Sequence, residues 1–325
     1  MKASQTAIQK ALCNHPNVHL SIPTPIHLLN RISATLKCSI YIKREDLTGF
    51  ALGGNKIRKL DFLIADAVKQ KADTLITKKA SSFTRNAAAA AKAFNLDLHV
   101  FIPGDERTHN VLSQAMFEQF GTTLHYVPGQ TEEILDISYE KCLQQLKDQG
   151  KNVYELHPGG SDEIGTMGYI NVFDEIAQYS EKTGIHFSHV IHSTGSSATQ
   201  AGLLVGQSIA GYETRMIGMA ASQDAGTKYD RICGLARQCA NLLNVQCSCS
   251  SLAVDDQFIG EAYAVPTPQG EKAVKMFADL EGIFLDQVYT GKAASGMIHY
   301  AETGRFNDHH SILFVHTGGN AGAYY

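Results

Sequence analysis

The sequence predicts an α/β protein whose parallel sheets are wound by helices. Three observations carry this reading. Short apolar runs alternate with amphipathic helical patterns, the glycine-rich segments stand where a strand hands over to a helix, and no Pro/Gly/Ser linker interrupts the series. Sheets of this kind collect their ligands in loops at the carboxyl ends of strands.

In chain order, SIYIK at residues 39–43 reads as a strand. Residues 55–69 read as a helix, with Ile57, Leu60, Ile64, Ala67 and Val68 on one face. Strands at 74–77, 98–102, 124–127 and 153–156 alternate with helices through the alanine run 87–91, around 111–120 and over 132–149. The pattern resumes after Gly159, with a helix near 170–179, a strand at 189–192, a helix over 199–209 and strands at 215–219 and 311–316.

The chain's 325 residues suffice for one large or two closely packed domains. A composition of 44% hydrophobic and 18% charged residues fits a globular protein and argues against disorder. The net charge of -4, with no block of like charge, argues against nucleic-acid or membrane partners. No apolar run reaches the ~20 residues that span a bilayer, and the first residues lack the apolar core of a signal peptide, so a cytoplasmic protein is expected. The seven cysteines include no C-x-x-C pair and no zinc-finger spacing; they read as reduced thiols, and no metal is expected.

Five segments could carry chemistry. In LTGFALGGNKIRK, Gly53 and Gly54 precede a helix for which Asn55 is a good N-cap, and Lys56 falls in the first turn. A cation there opposes the helix dipole. The dipole and the neighbouring Arg58 and Lys59 should favour the neutral amine, the form that attacks an aldehyde to make a Schiff base. A solvated surface lysine in a basic helix fits the same residues. In HSTGSSATQAGLLVG, the small residues Ser193, Thr194, Gly195, Ser196, Ser197 and Ala198 lead into a helix that starts at Thr199 and would let backbone N–H groups converge on an anion. An ordinary small-residue turn is the competing reading. Neither a Walker loop nor a G-x-G-x-x-G fingerprint is present, which counts against a nucleotide triphosphatase and a dehydrogenase. VYTGKAASG offers Tyr289 as a proton relay if its pKa is lowered, and FVHTGGN offers the Thr317 hydroxyl after a strand. Tyr263 is a loop aromatic. Both tyrosines could equally be packing residues, and Thr317 a turn residue. In KKASSFTRN, Ser81, Ser82 and Thr84 could bind a carboxylate or simply cap the following helix.

Taken in order, KREDLTGF, ALGGNKIRKL, HPGGSDEIGTMGY, TGSSATQAGL, Tyr263 before VPTPQG, VYTGKA and FVHTGG resemble the D-cysteine desulfhydrase and 1-aminocyclopropane-1-carboxylate deaminase family from about Pro23 to the C-terminus. The resemblance implies fold type II of the pyridoxal phosphate enzymes: two open twisted α/β domains, with the cofactor in the cleft between them. Residues 1–59 and 163–325 would form the large cofactor-binding domain and 60–162 the small one, in a homodimer. It also implies pyridoxal 5'-phosphate held by Lys56 as a Schiff base, with Asn55 beside it. Residues 194–199 would hold the phosphate, and Thr317 would face the pyridine nitrogen. Tyr263 and Tyr289 would line the substrate side, and Ser81 and Ser82 would lie near the substrate carboxylate. Lys56, Tyr289 and Ser81 are thus the expected catalytic residues.

The two branches of the family differ beside the ring nitrogen. The deaminases resemble VYEGK and HLGG; this chain has Thr290 and Thr317, as the desulfhydrases do. A carboxylate would keep the nitrogen protonated and the ring a strong electron sink. A hydroxyl suits expulsion of a good leaving group from the β-carbon. The implied activity is therefore β-elimination from a small amino acid, D-cysteine first, giving pyruvate, sulfide and ammonia. Lys56, or Tyr289 on the opposite face, would move the α-proton. Deamination of 1-aminocyclopropane-1-carboxylate to 2-oxobutanoate is the alternative, and a catalytically impaired cofactor-binding protein is a third. Departures from the family touch the site. Ser82 and Phe83 replace an asparagine and a histidine, Ser197 and Ala198 stand where two glycines are usual, and the tail NAGAYY lacks the usual proline.

Overall fold

Two sheets, both built from strands that alternate with helices, organise the chain. The computed structural model describes residues 6–105, 111–129, 131–307 and 309–319; the tail at 320–325 lies outside them. The chain begins with α1 (Ala7–Ala11), β1 (Ile26–Leu28), α2 (Asn30–Leu36), β2 (Ser39–Lys43) and α3 (Asn55–Lys69). A second run follows: β3 (Thr74–Lys78), α4 (Ser82–Ala93), β4 (Asp97–Pro103), α5 (Val111–Gln119), β5 (Thr123–Val127), α6 (Glu132–Asp148) and β6 (Val153–Glu155). The third run is α7 (Glu163–Thr183), β7 (His189–Thr194), α8 (Ala198–Ala210), β8 (Arg215–Ala220), α9 (Ala225–Leu242), β9 (Leu252–Asp255), α10 (Pro268–Glu281), α11 (Thr290–Glu302) and β10 (Ser311–Val315).

The strands form a larger sheet, ordered β1-β2-β10-β7-β8-β9, and a smaller one, ordered β5-β4-β3-β6. The pairings are parallel, as the alternation predicts, except that β1 closes one edge antiparallel to β2. The short edge strand β1 and the strand β9 escape sequence reading, as do helices α9 to α11. For α11 the reason is physical: its first half buries Thr290, Gly291, Lys292, Ala293 and Ala294, small and polar residues, and its large apolar side chains Met297, Ile298 and Tyr300 come only in the second half. Helix α7 starts well before the residue 170 that periodicity predicts, because the Asp162 carboxylate accepts from the Gly165 N–H at 2.7 Å and caps it.

One buried ionic cluster joins α3 to the larger sheet and to α7. The Arg58 guanidinium donates to both Glu45 oxygens at 2.9 Å and to Glu175 at 2.6 and 3.0 Å. Lys43, at the end of β2, is fully buried, pairs with Glu175 and donates to the Thr24 carbonyl at 2.7 Å. Burial alone would push the Glu45 carboxyl up, but Arg58 and Lys43 override it and hold it down at about 2. Glycine lets the helices meet here: a Cβ on Gly168 of α7 would stand 2.1 Å from the Arg58 carbonyl oxygen.

Removing one partner strands buried charge. Arg58→Met should lower the unfolding free energy by ~3–5 kcal/mol, read from urea denaturation. Glu45 contributes stability fully above the ordinary carboxyl range of ~4.3 and loses it as pH falls through its folded value of about 2. The acid limb of the wild-type stability curve should therefore steepen in that window and flatten in Glu45→Gln.

Candidate active site

The site forms where the GGNK turn meets the strand-end loops of the larger sheet. Gly54 and Gly318 have φ of 95° and 99°, and a Cβ on Gly318 would lie 2.5 Å from the Gly54 Cα, so only glycine allows this backbone crossing. The approach lets the Asn55 N–H donate to the Thr317 carbonyl at 2.9 Å. Asn55 is not the N-cap that the sequence suggests. Gly54 takes that position without a side-chain bond, and Asn55 is the first helical residue. Its side chain is spent elsewhere, donating from Nδ2 to the Thr199 hydroxyl at 3.0 Å. Asn55, Thr199 and Thr317 are thus brought together.

Lys56 is half-buried. Burial nonetheless lowers its amine to about 8, with a hydrogen bond to Lys59 opposing the shift. Desolvation is therefore what frees the neutral amine. The expectation that Arg58 does so is corrected: that guanidinium is neutralised by Glu45 and Glu175 inside the ionic cluster. Lys59 is fully buried, donates to the Gly159 carbonyl at 3.1 Å and lies 3.5 Å from the Ser196 hydroxyl. Burial, then the charge of Lys56, lowers it well below the ordinary lysine range.

Residues 194–199 run from the end of β7 into α8, and Ser197 holds φ at +80° where a glycine would be unstrained. The hydroxyls of Ser193, Thr194 and Ser197 are buried with no hydrogen-bond partner among the described residues. Such groups are costly unless something satisfies them. They surround the N-terminus of a helix, where an anion is favoured. Two buried lysines serve the loop, Lys59 at Ser196 and Lys228, which donates to the Gly195 carbonyl. These residues fit a phosphate group. Sequence reading included Ser193 in the small-residue run but missed Lys59 and Lys228 beside it. Lys228, on α9, has no local signal.

Across the cleft, Tyr289 packs beside Gly195, where an added Cβ would sit 3.3 Å from its ring. Its hydroxyl is hydrogen-bonded to that of Tyr263, and the rings meet edge to face at 6.0 Å. Burial first, and then Tyr263, raises the Tyr289 phenol far above the ordinary tyrosine range. A relay with a lowered pKa is therefore the wrong picture; this phenol stays protonated. Thr290 is fully buried and donates to Asp286 at 2.6 Å. Ser81 caps α4, accepting from the Thr84 N–H at 3.3 Å, and Ser82 opens that helix. Asn86 ties α4 to the lysine turn by donating to the Gly53 carbonyl at 3.1 Å. Phe83 is fully buried, and a Cβ on Gly160 would lie 2.9 Å from its ring.

A family model described as "Pyridoxal-phosphate dependent enzyme" matches residues 19–318. The chain belongs to the pyridoxal-phosphate dependent enzymes. It is 37% identical over 316 residues to the D-cysteine desulfhydrases of Klebsiella pneumoniae subsp. pneumoniae and Salmonella newport, with 95% of this chain and 95% of each relative covered. Among solved structures it is similar to an ACC deaminase homologue, with TM-score 0.87, 32% identity and coverage of 97% of this chain and 95% of that one. The fold also matches processed threonine deaminase isoform 2 of Solanum lycopersicum, with TM-score 0.71, 16% identity and coverage of 96% and 84%. The chain is a pyridoxal-phosphate dependent enzyme of fold type II; the unpartnered hydroxyls of residues 193–199 fit the cofactor's phosphate, and Lys56 is the residue that would meet its aldehyde.

Because attack on an aldehyde needs the neutral amine, cofactor uptake by stripped protein should rise with pH through about 8. An unperturbed lysine would place that rise near ~10.4. Stopped-flow absorbance at a series of pH values reads the midpoint.

Proposed function

We propose that this protein catalyses β-elimination from a small amino acid, with D-cysteine the best candidate and pyruvate, sulfide and ammonia the products. The observation that carries the reading is that the turn bearing the desolvated Lys56 and the Tyr289–Tyr263 pair both adjoin residues 193–199, whose buried hydroxyls lack partners: Asn55 reaches Thr199, and Tyr289 lies against Gly195. The cleft would lie between residues 60–162 and the two segments 1–59 and 163–325. No helix among the described residues is long and apolar enough to cross a membrane. The family resemblance extends the proposal to a cytoplasmic homodimer.

Pyridoxal phosphate, when bound, supplies the electron sink that makes an α-proton acidic. The chain's own residues supply the rest. Lys56, neutral above about 8, takes the α-proton at Nζ. Tyr289, kept protonated by burial, donates its O–H toward the departing β-substituent, and Tyr263 orients that hydroxyl. The substrate carboxylate would sit at the start of α4, where Ser81 and Ser82 offer hydroxyls and the helix offers free N–H groups. Asn55, held against Thr199, fixes the lysine turn to the phosphate end of the site. Water then replaces nitrogen on the three-carbon product, releasing ammonia.

A substrate panel of D-cysteine, L-cysteine, a D-serine derivative and 1-aminocyclopropane-1-carboxylate tests the reading through sulfide, ammonia and 2-oxo acid. Sulfide from D-cysteine is expected. Appearance of 2-oxobutanoate alone would instead favour the deaminase reading that the similar solved structure raises. Cofactor binding without turnover of any of these compounds would mark an impaired enzyme. In the active protein, Tyr289→Phe should reduce kcat by ~10²–10⁴-fold with little change in KM, the range for a lost proton donor. Retention of full kcat would remove Tyr289 from the chemistry.

A further inference from the structure

The smaller sheet carries a second cluster of reactive side chains, away from the cofactor cleft. Along β4, successive residues face opposite sides. Leu98, Val100 and Ile102 join the core that contains residues of α3 and α4, the helices that build the cleft. Phe101 points to the other face and packs under α6 with Leu135 and Tyr139. On that face His99 of β4, His125 of β5 and Cys142 of α6 bring their ligand atoms within 4.8 Å of one another. All three residues are half-buried, so ions in solution can reach them.

The two imidazoles are pre-set for each other. His99 Nδ1 and His125 Nε2 are 2.9 Å apart, with the rings tilted by only 20°. His125 also stacks on Phe101 at 4.3 Å, which holds its ring in place. A thiol on the facing helix completes a nitrogen–nitrogen–sulfur set that suits a borderline-soft divalent ion.

We propose that His99, His125 and Cys142 form a Zn²⁺ site that clamps β4, β5 and α6 together, with water as the fourth ligand. Bonds of ~2.0–2.1 Å to nitrogen would open the two nitrogens from their hydrogen-bond spacing to about 3.3 Å, a small side-chain adjustment. Binding forms two Zn–N bonds and one Zn–S bond. The Cys142 thiol gives its proton to solvent, and the imidazole that donates in the N···N hydrogen bond moves to its other tautomer. No redox change is involved. The strand–strand–helix clamp is structural and leaves the cleft's chemistry to Lys56 and Tyr289.

The test uses the full-length protein with cofactor bound, freed of metal by a chelator and dialysed against micromolar Zn²⁺. Elemental analysis should find one zinc per chain. Zinc should protect Cys142 from iodoacetamide, read on the Cys142 peptide by mass spectrometry, and should raise the melting temperature. Cys142→Ala and His99→Gln should each weaken binding by at least ~10-fold, the lower limit for losing even an outer-shell partner. Cys247→Ser should bind as wild type. Absence of stoichiometric zinc in the wild type, unprotected Cys142, or unchanged zinc in Cys142→Ala would overturn the proposal and leave the two histidines as a hydrogen-bonded pair. The protection measurement needs no variant, so a misfolded mutant does not blunt the test.

Discussion

The buried pairing of Arg58 with Glu45 and Glu175 is the interaction on which the rest of the site depends. Arg58 stands two residues after Lys56 on α3, so whatever fixes one fixes the other. Glu45 follows β2 in the larger sheet, and Glu175 belongs to α7. A charge removed from water tolerates few geometries, because its partners must meet it within hydrogen-bond distance. The helix that carries Lys56 is thereby held in one rotation against the sheet and against α7. Small residues make the same placement possible: Gly168 admits the α3 backbone, and Gly54 and Gly318 admit each other.

With the helix so fixed, desolvation acts on the two groups proposed to move protons in opposite senses. It lowers Lys56, which favours a free amine, and raises Tyr289, which favours a phenol that keeps its proton. A base and an acid on opposite sides of a cleft need that separation of pKa values. The unpartnered hydroxyls of Ser193, Thr194 and Ser197 express the same economy, since their burial makes sense only beside a polar ligand.

Local pattern was legible wherever one face of an element is apolar. Residues 39–43 and 55–69 were readable to the residue because β2 buries alternate side chains and α3 buries a stripe of Ile57, Leu60 and Ile64. α11 was hidden because its first half is small and polar residues with no apolar period, and β1 because it is a short edge strand. Of the site, GGNK and the small-residue loop after β7 were visible as motifs. The cause assigned to the lysine's reactivity was not: cations adjacent in sequence were expected to act, and Arg58 turns out to be neutralised by Glu45 and Glu175. Nor was the bond from the Thr290 hydroxyl to Asp286 legible.

By itself, then, the sequence determined the α/β class, the order of the glycine-rich loops and the lysine proposed to carry the chemistry. These follow from periodicity, from glycine where the backbone must cross closely and from residue type, all of which are local properties. Only the tertiary structure decided which charges are neutralised, which hydroxyls lack partners and which distant residues meet. Lys228 at Gly195, Asn55 at Thr199, and His99 with His125 and Cys142 are pairings across strands and helices. Burial and charge are sums over everything nearby in space, and a linear sequence does not display that neighbourhood.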